Sequence, residues 1–316
     1  MNVLVTGGAG FIGSHLVRRL VKERAGSVAV LDNLHRGSAE SLADCLDEIR
    51  FVRGDVRNAA GLLEALHGID LVYHLAAQSS VMGAEEHADY TFRTNVSGTF
   101  ELLRAARTSG VRRVVFTSSR EVYGDPLRVP VPETAALKPK NLYGASKVAG
   151  EAYCSVFGSE GLETAVLRLA NVYGPGDTDR VLPLFIERAL QGQPLVLYGG
   201  QQVLDFVWID VVVEALWKVG FGELIREPLN IGSGLGVTIS NLSRRVLELT
   251  GGRPRFEIAP RRQTEVTRFV ADVTRAKQVL GLEQPADPLF GLTEMVNWKR
   301  GGIATSHADS ALVPIA

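Results

Sequence analysis

Cysteine is nearly absent: Cys45 and Cys154 are the only two in 316 residues, and neither stands in a metal-ligand spacing. Two cysteines cannot form a disulfide framework, so the core must hold the fold, and a reducing compartment is expected with both thiols as packing residues. Charge of one sign is missing too. Lysine and arginine number 34 against 35 acidic residues, a net charge of −1, which leaves no electrostatic footprint for nucleic acid or an anionic membrane. No apolar run approaches the roughly 18 residues of a membrane span, and no basic segment leads into a signal-type stretch at the N-terminus. The protein is therefore expected to be cytoplasmic, with neither nucleic acid nor membrane as partner. His15, His35, His67, His74, His87 and His307 are scattered without ligand spacing, so no metal is expected.

Forty-six per cent of the residues are hydrophobic, enough for the core of one large domain or two unequal ones. Short β-branched runs at 3–6, 28–31, 50–52, 71–74, 114–117 and 165–169 alternate with helical stretches. That order predicts an α/β fold, a doubly wound parallel Rossmann sheet. Phe11, Ile12, Leu16, Leu20 and Val21 share one face of a helix after the first strand. Beyond Leu169 the texture changes at Asn171-Val172-Tyr173-Gly174-Pro175-Gly176. Residues 1–169 are expected to form the cofactor domain, helped by a returning strand near 229–234, and residues 170–302 a smaller α/β substrate domain. The segment 303–316 is expected to be a disordered tail.

Glycines 7, 10 and 13 follow the first strand and open the helix. They suit a tight turn, close approach of backbone to a pyrophosphate and close helix packing, with the helix N-terminus facing the anion. Asp32 ends the second strand 19 residues after Gly13, where a carboxylate accepts from ribose hydroxyls. It repels a 2′-phosphate, which favours NAD over NADP, although Arg36 keeps the second open. Asp55-Val56 either lies beside the adenine or is a simple turn after Gly54.

Tyr143 and Lys147 are four apart, on one helix face, and a cation near a phenol favours phenolate. Alone, such a pair is as readily a solvated helix face. Ser119, at the end of Phe116-Thr117-Ser118-Ser119, stands at the carboxyl edge of the predicted sheet, where ligands of open α/β sheets bind. Together with the glycine cradle, these residues suggest hydride chemistry with a tyrosine base. His74, at a strand end, reads as a packed residue beside the cofactor rather than a base.

At this point the chain resembles the extended short-chain dehydrogenase/reductases of the nucleotide-sugar epimerase and dehydratase group, and in overall pattern the UDP-glucose 4-epimerases. The resemblance covers roughly residues 1–300. It rests on 6–13, Leu31-Asp32-Asn33, Gly54-Asp55-Val56, His74-Leu75-Ala76-Ala77, 95–99, 118–124, 143–147 and 171–176. It implies NAD held by Gly7, Gly10, Phe11, Ile12, Gly13, Asp32, Asn33, Asp55, Val56, Leu75, Ala76 and Ala77, with Tyr143 and Lys147. It further implies oxidation of a sugar at C4 and return of the hydride, with Tyr143 as base, Lys147 lowering its pKa and holding the nicotinamide ribose, and Ser119 as hydroxyl relay. By the same match, Asn171 contacts the sugar or diphosphate and Arg262 holds the phosphates. Asn95 either supports the active-site helix or caps it. A homodimer is expected through helices near 96–108 and 144–157.

Four residues depart from or qualify that pattern. Glu121 stands where the 4-epimerases usually carry a small hydroxyl or apolar residue, and relatives with glutamate there resemble UDP-glucuronate decarboxylases and sugar dehydratases. It is a candidate acid or base at C5. Arg120 replaces the aspartate of the 4,6-dehydratases; pointing inward it would pair with a C6 carboxylate, pointing outward it is a surface residue. Leu204 stands where the family usually has an arginine, so Arg262 and Arg180 must carry more of the diphosphate charge. Phe269 falls where relatives gate the C2 substituent, or is plain packing. The leading expectation is a nucleotide-sugar 4-epimerase, UDP-linked, on a hexose or hexuronate. The alternatives are a decarboxylase or dehydratase on the same scaffold, and a non-catalytic NAD-binding protein.

Overall fold

The computed structural model describes residues 1–253, 255–283 and 285–310. Its strands are β1 (Val3–Thr6), β2 (Val28–Asp32), β3 (Ile49–Arg53), β4 (Leu71–His74), β5 (Arg113–Ser119), β6 (Glu163–Leu169), β7 (Asn171–Tyr173), β8 (Leu195–Tyr198), β9 (Val203–Trp208), β10 (Leu229–Ile231), β11 (Gly236–Thr238) and β12 (Phe256–Ala259). Its helices are α1 (Phe11–Lys22), α2 (Ala59–Ala65), α3 (Val81–Glu86), α4 (Ala88–Thr91), α5 (Gly98–Thr108), α6 (Leu142–Ser159), α7 (Val181–Leu190), α8 (Ile209–Phe221), α9 (Ile239–Thr250), α10 (Thr274–Leu280) and α11 (Leu292–Ser310).

Seven strands form one parallel sheet in the order β10-β6-β5-β4-β1-β2-β3. Its central strands are buried along their whole length, β1, β2, β4 and β5 without a break, because helices cover both faces and a parallel sheet needs no polar alternation. Helices α1 and α8 pack on one face, α2, α5 and α6 on the other. Strand order reverses between β1 and β4, so the crevice beyond their carboxyl ends is the place for a ligand. The returning strand is present: β10 pairs with β6, Ile231 opposite Leu169.

The remaining strands build a smaller C-terminal α/β part, with β11-β9-β7 in one sheet and β12-β8 in another. Asp205 of β9 stitches it to the large sheet. The carboxylate is fully buried and accepts from the Ser233 amide and hydroxyl, both at 2.7 Å, and from the Gly234 and Ala271 amides, both at 3.0 Å. Burial raises its pKa and these donors offset that. At the other end of the chain, where a tail from 303 is expected, α11 extends to Ser310. Residues 311–316 of that expected tail lie outside the described residues.

Behind the strand ends lies a buried ion pair. Arg168 of β6 holds Glu151 of α6 by two nitrogens, Nη2 to Oε2 at 2.6 Å and Nε to Oε1 at 2.9 Å. The same Glu151 accepts from the Ser118 hydroxyl at 2.5 Å, and Arg168 also donates to the Tyr123 hydroxyl at 2.8 Å. All four side chains are buried, so the group locks α6 to β5 and β6. Removing one member leaves an uncompensated charge inside the protein. Glu151→Ala is expected to cost about 3–5 kcal/mol in urea unfolding; a loss below about 1 kcal/mol, the scale of an exposed pair, would contradict the locking role.

Candidate active site

One cavity of about 540 Å³ opens at the carboxyl ends of the strands and is lined from Gly7 through Tyr143 to Arg262. Its first half is the glycine cradle. Gly7 ends β1 in a left-handed conformation, φ +71°, and a Cβ there would lie 2.7 Å from the Ala76 nitrogen. At Gly13 a Cβ would lie 2.2 Å from the Gly7 oxygen, so α1 comes down on the turn only because both positions lack side chains. The N-cap of α1 is Gly10 and offers no side-chain cap, leaving first-turn amides free for an anion.

Asp32 accepts from the Leu34 amide at 2.8 Å and the Ala9 amide at 3.0 Å, one on each oxygen. Each oxygen keeps a lone pair for a ribose hydroxyl. Burial raises the Asp32 pKa and the two amides pull it back. Asn33 donates to Asp55 at 2.8 Å, and Asp55 is held down to about 2, chiefly by Arg57. Phe11, Ile12, Val56, Leu75, Ala76 and Ala77 line the same half. Arg36 lines the same cavity and is engaged by Gln78 at 3.2 Å and by Asp179. The cradle and its carboxylate fit NAD.

The second half carries the chemistry. Ser119 closes β5, and its hydroxyl accepts from the Glu121 amide at 3.2 Å, which leaves its own proton to give. Lys147, buried on α6, donates to the Thr117 carbonyl at 2.8 Å; its Nζ lies 4.8 Å from the Phe116 ring centre and 5.8 Å from that of Tyr143. Desolvation pushes the Lys147 pKa down to about 8. Burial raises the Tyr143 phenol; Arg180 offsets this most, then the Ser119 hydrogen bond, while Glu121 pushes it further up.

Glu121 is 4% exposed and both its oxygens are engaged. Arg120 holds Oε1 at 2.9 Å and the Asn141 amide donates to Oε2 at 2.7 Å. Arg120 points inward: it lines the cavity, donates to Asn171 at 3.2 Å, and has one nitrogen, Nη1, without a partner among the described residues. Asn171 in turn donates to the Asp205 carbonyl at 2.9 Å. Phe269 is not among the lining residues. It is 1% exposed, stacked on Tyr123 with ring centres 5.8 Å apart, and the Arg120 guanidinium lies 6.0 Å from its ring centre, so any effect of it on a sugar passes through Arg120.

Arg180 and Arg262 both line the cavity, as does Leu204. Arg262 lies 3.7 Å from the Tyr198 ring centre and pairs with Glu265 at 2.9 Å. Asn95 stands in a π-helical turn, Phe92–Ser97, and donates to the Ser146 hydroxyl of α6 at 2.9 Å, a support of the active-site helix. His74 is a packed residue between the Thr6 and Thr99 hydroxyls, at 2.8 and 2.9 Å, its pKa lowered to about 3 by burial. Among the described residues no group of histidine, cysteine and carboxylates could hold a metal, and no helix is long and apolar enough to cross a membrane. Asn141, Asp177, Glu151 and Arg168 escaped the reading of the sequence. Only Asn141 had a local signal, an Asn three residues before Gly144 at a helix start.

A glycine cradle with a ribose carboxylate on one side and Ser119, Tyr143 and Lys147 on the other define a nucleotide-dependent enzyme of the extended dehydrogenase/reductase class. Comparison with known proteins narrows this. Residues 3–232 match the model of the NAD dependent epimerase/dehydratase family. The UDP-glucose 4-epimerase of Mycolicibacterium smegmatis is 36% identical over 95% of this chain and 99% of its own length. UDP-glucuronic acid decarboxylase 4 of Arabidopsis thaliana is 34% identical over 94% of this chain and 68% of its own. The structure of the dTDP-glucose 4,6-dehydratase DesIV of Streptomyces venezuelae, with NAD bound, superposes with a TM-score of 0.92 at 34% identity, over 96% of this chain and 98% of that one. The chain belongs to the NAD dependent epimerase/dehydratase family, and its cofactor is NAD.

Asp177 supplies a pH test of how dry this cavity wall is. Its carboxyl pairs with Arg180 at 2.9 Å through one oxygen, while the other oxygen is buried and has no partner among the described residues. Burial pushes its pKa from 3.8 up to about 6, against the pull of Arg180. Between these values the folded protein holds a proton that the unfolded chain has lost, so stability falls as pH rises through that window. Asp177→Asn is therefore expected to be more stable to unfolding than the parent at pH 7, by up to about 3 kcal/mol, with the difference vanishing near pH 4. A difference independent of pH would contradict it.

Proposed function

We propose that the protein is an NAD-dependent nucleotide-sugar 4-epimerase acting on a UDP-hexose or UDP-hexuronate. The observation that carries this reading is the engagement of Glu121. With Arg120 on one oxygen and Asn141 on the other, its carboxylate is committed to the protein, and a base for the C5 proton would have to give up one of those partners. The groups for C4 chemistry are complete and line one cavity. That completeness also weighs against a non-catalytic NAD-binding role.

Bound NAD supplies the acceptor for the C4 hydride and gives it back. Ser119 and Tyr143 take the 4-hydroxyl proton, Ser119 passing it to the phenol oxygen of Tyr143. Lys147 stands beneath, on the Thr117 carbonyl, to hold the nicotinamide ribose. The 4-keto sugar then turns in the cavity, so that C4 would take the hydride back on its other face while Tyr143 returns the proton to the C4 oxygen. Arg262 and Arg180 hold the diphosphate, with Leu204 adding no charge. A UDP-linked substrate is supported by the names of the Mycolicibacterium and Arabidopsis relatives. The lyase reading is kept by one observation, that Glu121 does line the cavity. A homodimer through the outer faces of α5 and α6 is proposed on exposed Val156, 52% accessible on α6.

Incubation with UDP-glucose, UDP-galactose and UDP-glucuronate in heavy water separates the readings by product mass. An isomer of unchanged mass free of deuterium is expected, because the hydride never meets solvent. A product lighter by carbon dioxide or water and carrying deuterium would replace the epimerase reading with the lyase.

A further inference from the structure

We propose that Asn141 is a positioning residue whose amide, through Glu121, sets the helix bearing Tyr143 against Ser119. The side chain works at both ends. Its oxygen accepts from the Gly144 amide at 2.7 Å and so caps α6 two residues before the tyrosine. Its nitrogen donates to Glu121 Oε2 at 2.7 Å and to the Thr264 carbonyl at 3.0 Å. The second donation is what an ordinary cap lacks. Glu121 follows directly on the turn out of β5, its amide on the Ser119 hydroxyl at 3.2 Å and its other oxygen on Arg120 at 2.9 Å. A Cβ at Gly144 would lie 2.5 Å from the Glu121 carbonyl oxygen, so the first turn of α6 rests directly on this residue.

Asn141 and Glu121 are both buried, and a buried donor without its acceptor costs more than the bond itself contributes. The pair therefore fixes the separation of the hydroxyl relay and the phenol, and Glu121 acts through Asn141 rather than on the sugar. This rests on the reading of Tyr143 as the base.

The test exchanges donor and acceptor. Asn141→Asp keeps an excellent cap but sets two carboxylates together; Glu121→Gln sets two amide donors together. In Asn141→Asp/Glu121→Gln the glutamine amide can donate to the aspartate while its oxygen still accepts from Arg120. The readout is the rate at which the sugar nucleotide reduces bound NAD, followed at 340 nm in the holoenzyme, with KM and thermal stability alongside. Each single variant is expected to lose at least tenfold in rate with KM changed less than threefold, and the double variant to recover most of the loss. A double variant as slow as the product of the two singles would overturn the proposal, as would a Glu121→Gln that stays dead in both backgrounds, the mark of a direct acid or base.

NADH formation is shared by epimerase and lyase, so failure of the epimerase reading leaves the cycle readable. Where no sugar nucleotide reduces NAD, Tyr143 ionisation, read by difference absorbance against Tyr143→Phe, carries the same cycle. Both singles are expected to move it and the double to return it; equal shifts in single and double variants would overturn the proposal.

Discussion

The burial of Lys147 on α6, behind half-buried Tyr143 and against the end of β5, is the constraint around which the rest is arranged. An ammonium inside a protein needs partners that water would otherwise supply, and Lys147 has one carbonyl and two aromatic faces. Desolvation moves both groups toward their neutral forms, the phenol up and the amine down. A dry wall of this kind strengthens every charge placed against it, so Arg180, Glu121 and Arg36 act on the phenol although none of them is its neighbour in sequence.

Holding two such groups in place takes a rigid scaffold, and the charges behind the wall supply it. Arg168 and Glu151 fasten α6 to β6, Asn95 fastens it to the π-helical turn, and Asn141 fastens its first turn to Glu121. Asp205 does the same for the second half of the cavity, gathering amides from the loop after β10 and from Ala271. The cavity is thus braced from behind by satisfied polar groups, while Arg120 Nη1 and one Asp177 oxygen at its wall have no partner among the described residues and the glycine cradle brings bare backbone to its rim. The family to which the chain belongs includes epimerases, decarboxylases and dehydratases.

Much of the cofactor half was legible because it is local. Gly7, Gly10, Gly13 and Asp32 act through backbone conformation and strand-end position, both readable from spacing. Tyr143 and Lys147 share a helix face for the same reason, and Leu229-Asn230-Ile231 carried enough strand character to place β10. Long-range choices were not legible. Whether Arg120 turns inward depends on Glu121 and Asn171 waiting there, and whether Phe269 reaches the sugar depends on Arg120 and Tyr123 lying over it. That Arg180 and Asp177 share a wall of the cavity with Tyr143 is likewise a meeting of segments distant in the chain. The Glu151–Arg168 pair joins a helix to a strand and leaves no mark in either segment.

The desolvated lysine can be observed directly. NMR titration of the protein freed of NAD and labelled at the lysine side chains, with Lys147 assigned by its loss in Lys147→Met, should show the ammonium releasing its proton near pH 8. A midpoint at the ordinary lysine value of 10.5 would mean that water reaches Lys147, and that the dry wall on which the positions of Tyr143, Glu121 and Asn141 depend does not exist in solution.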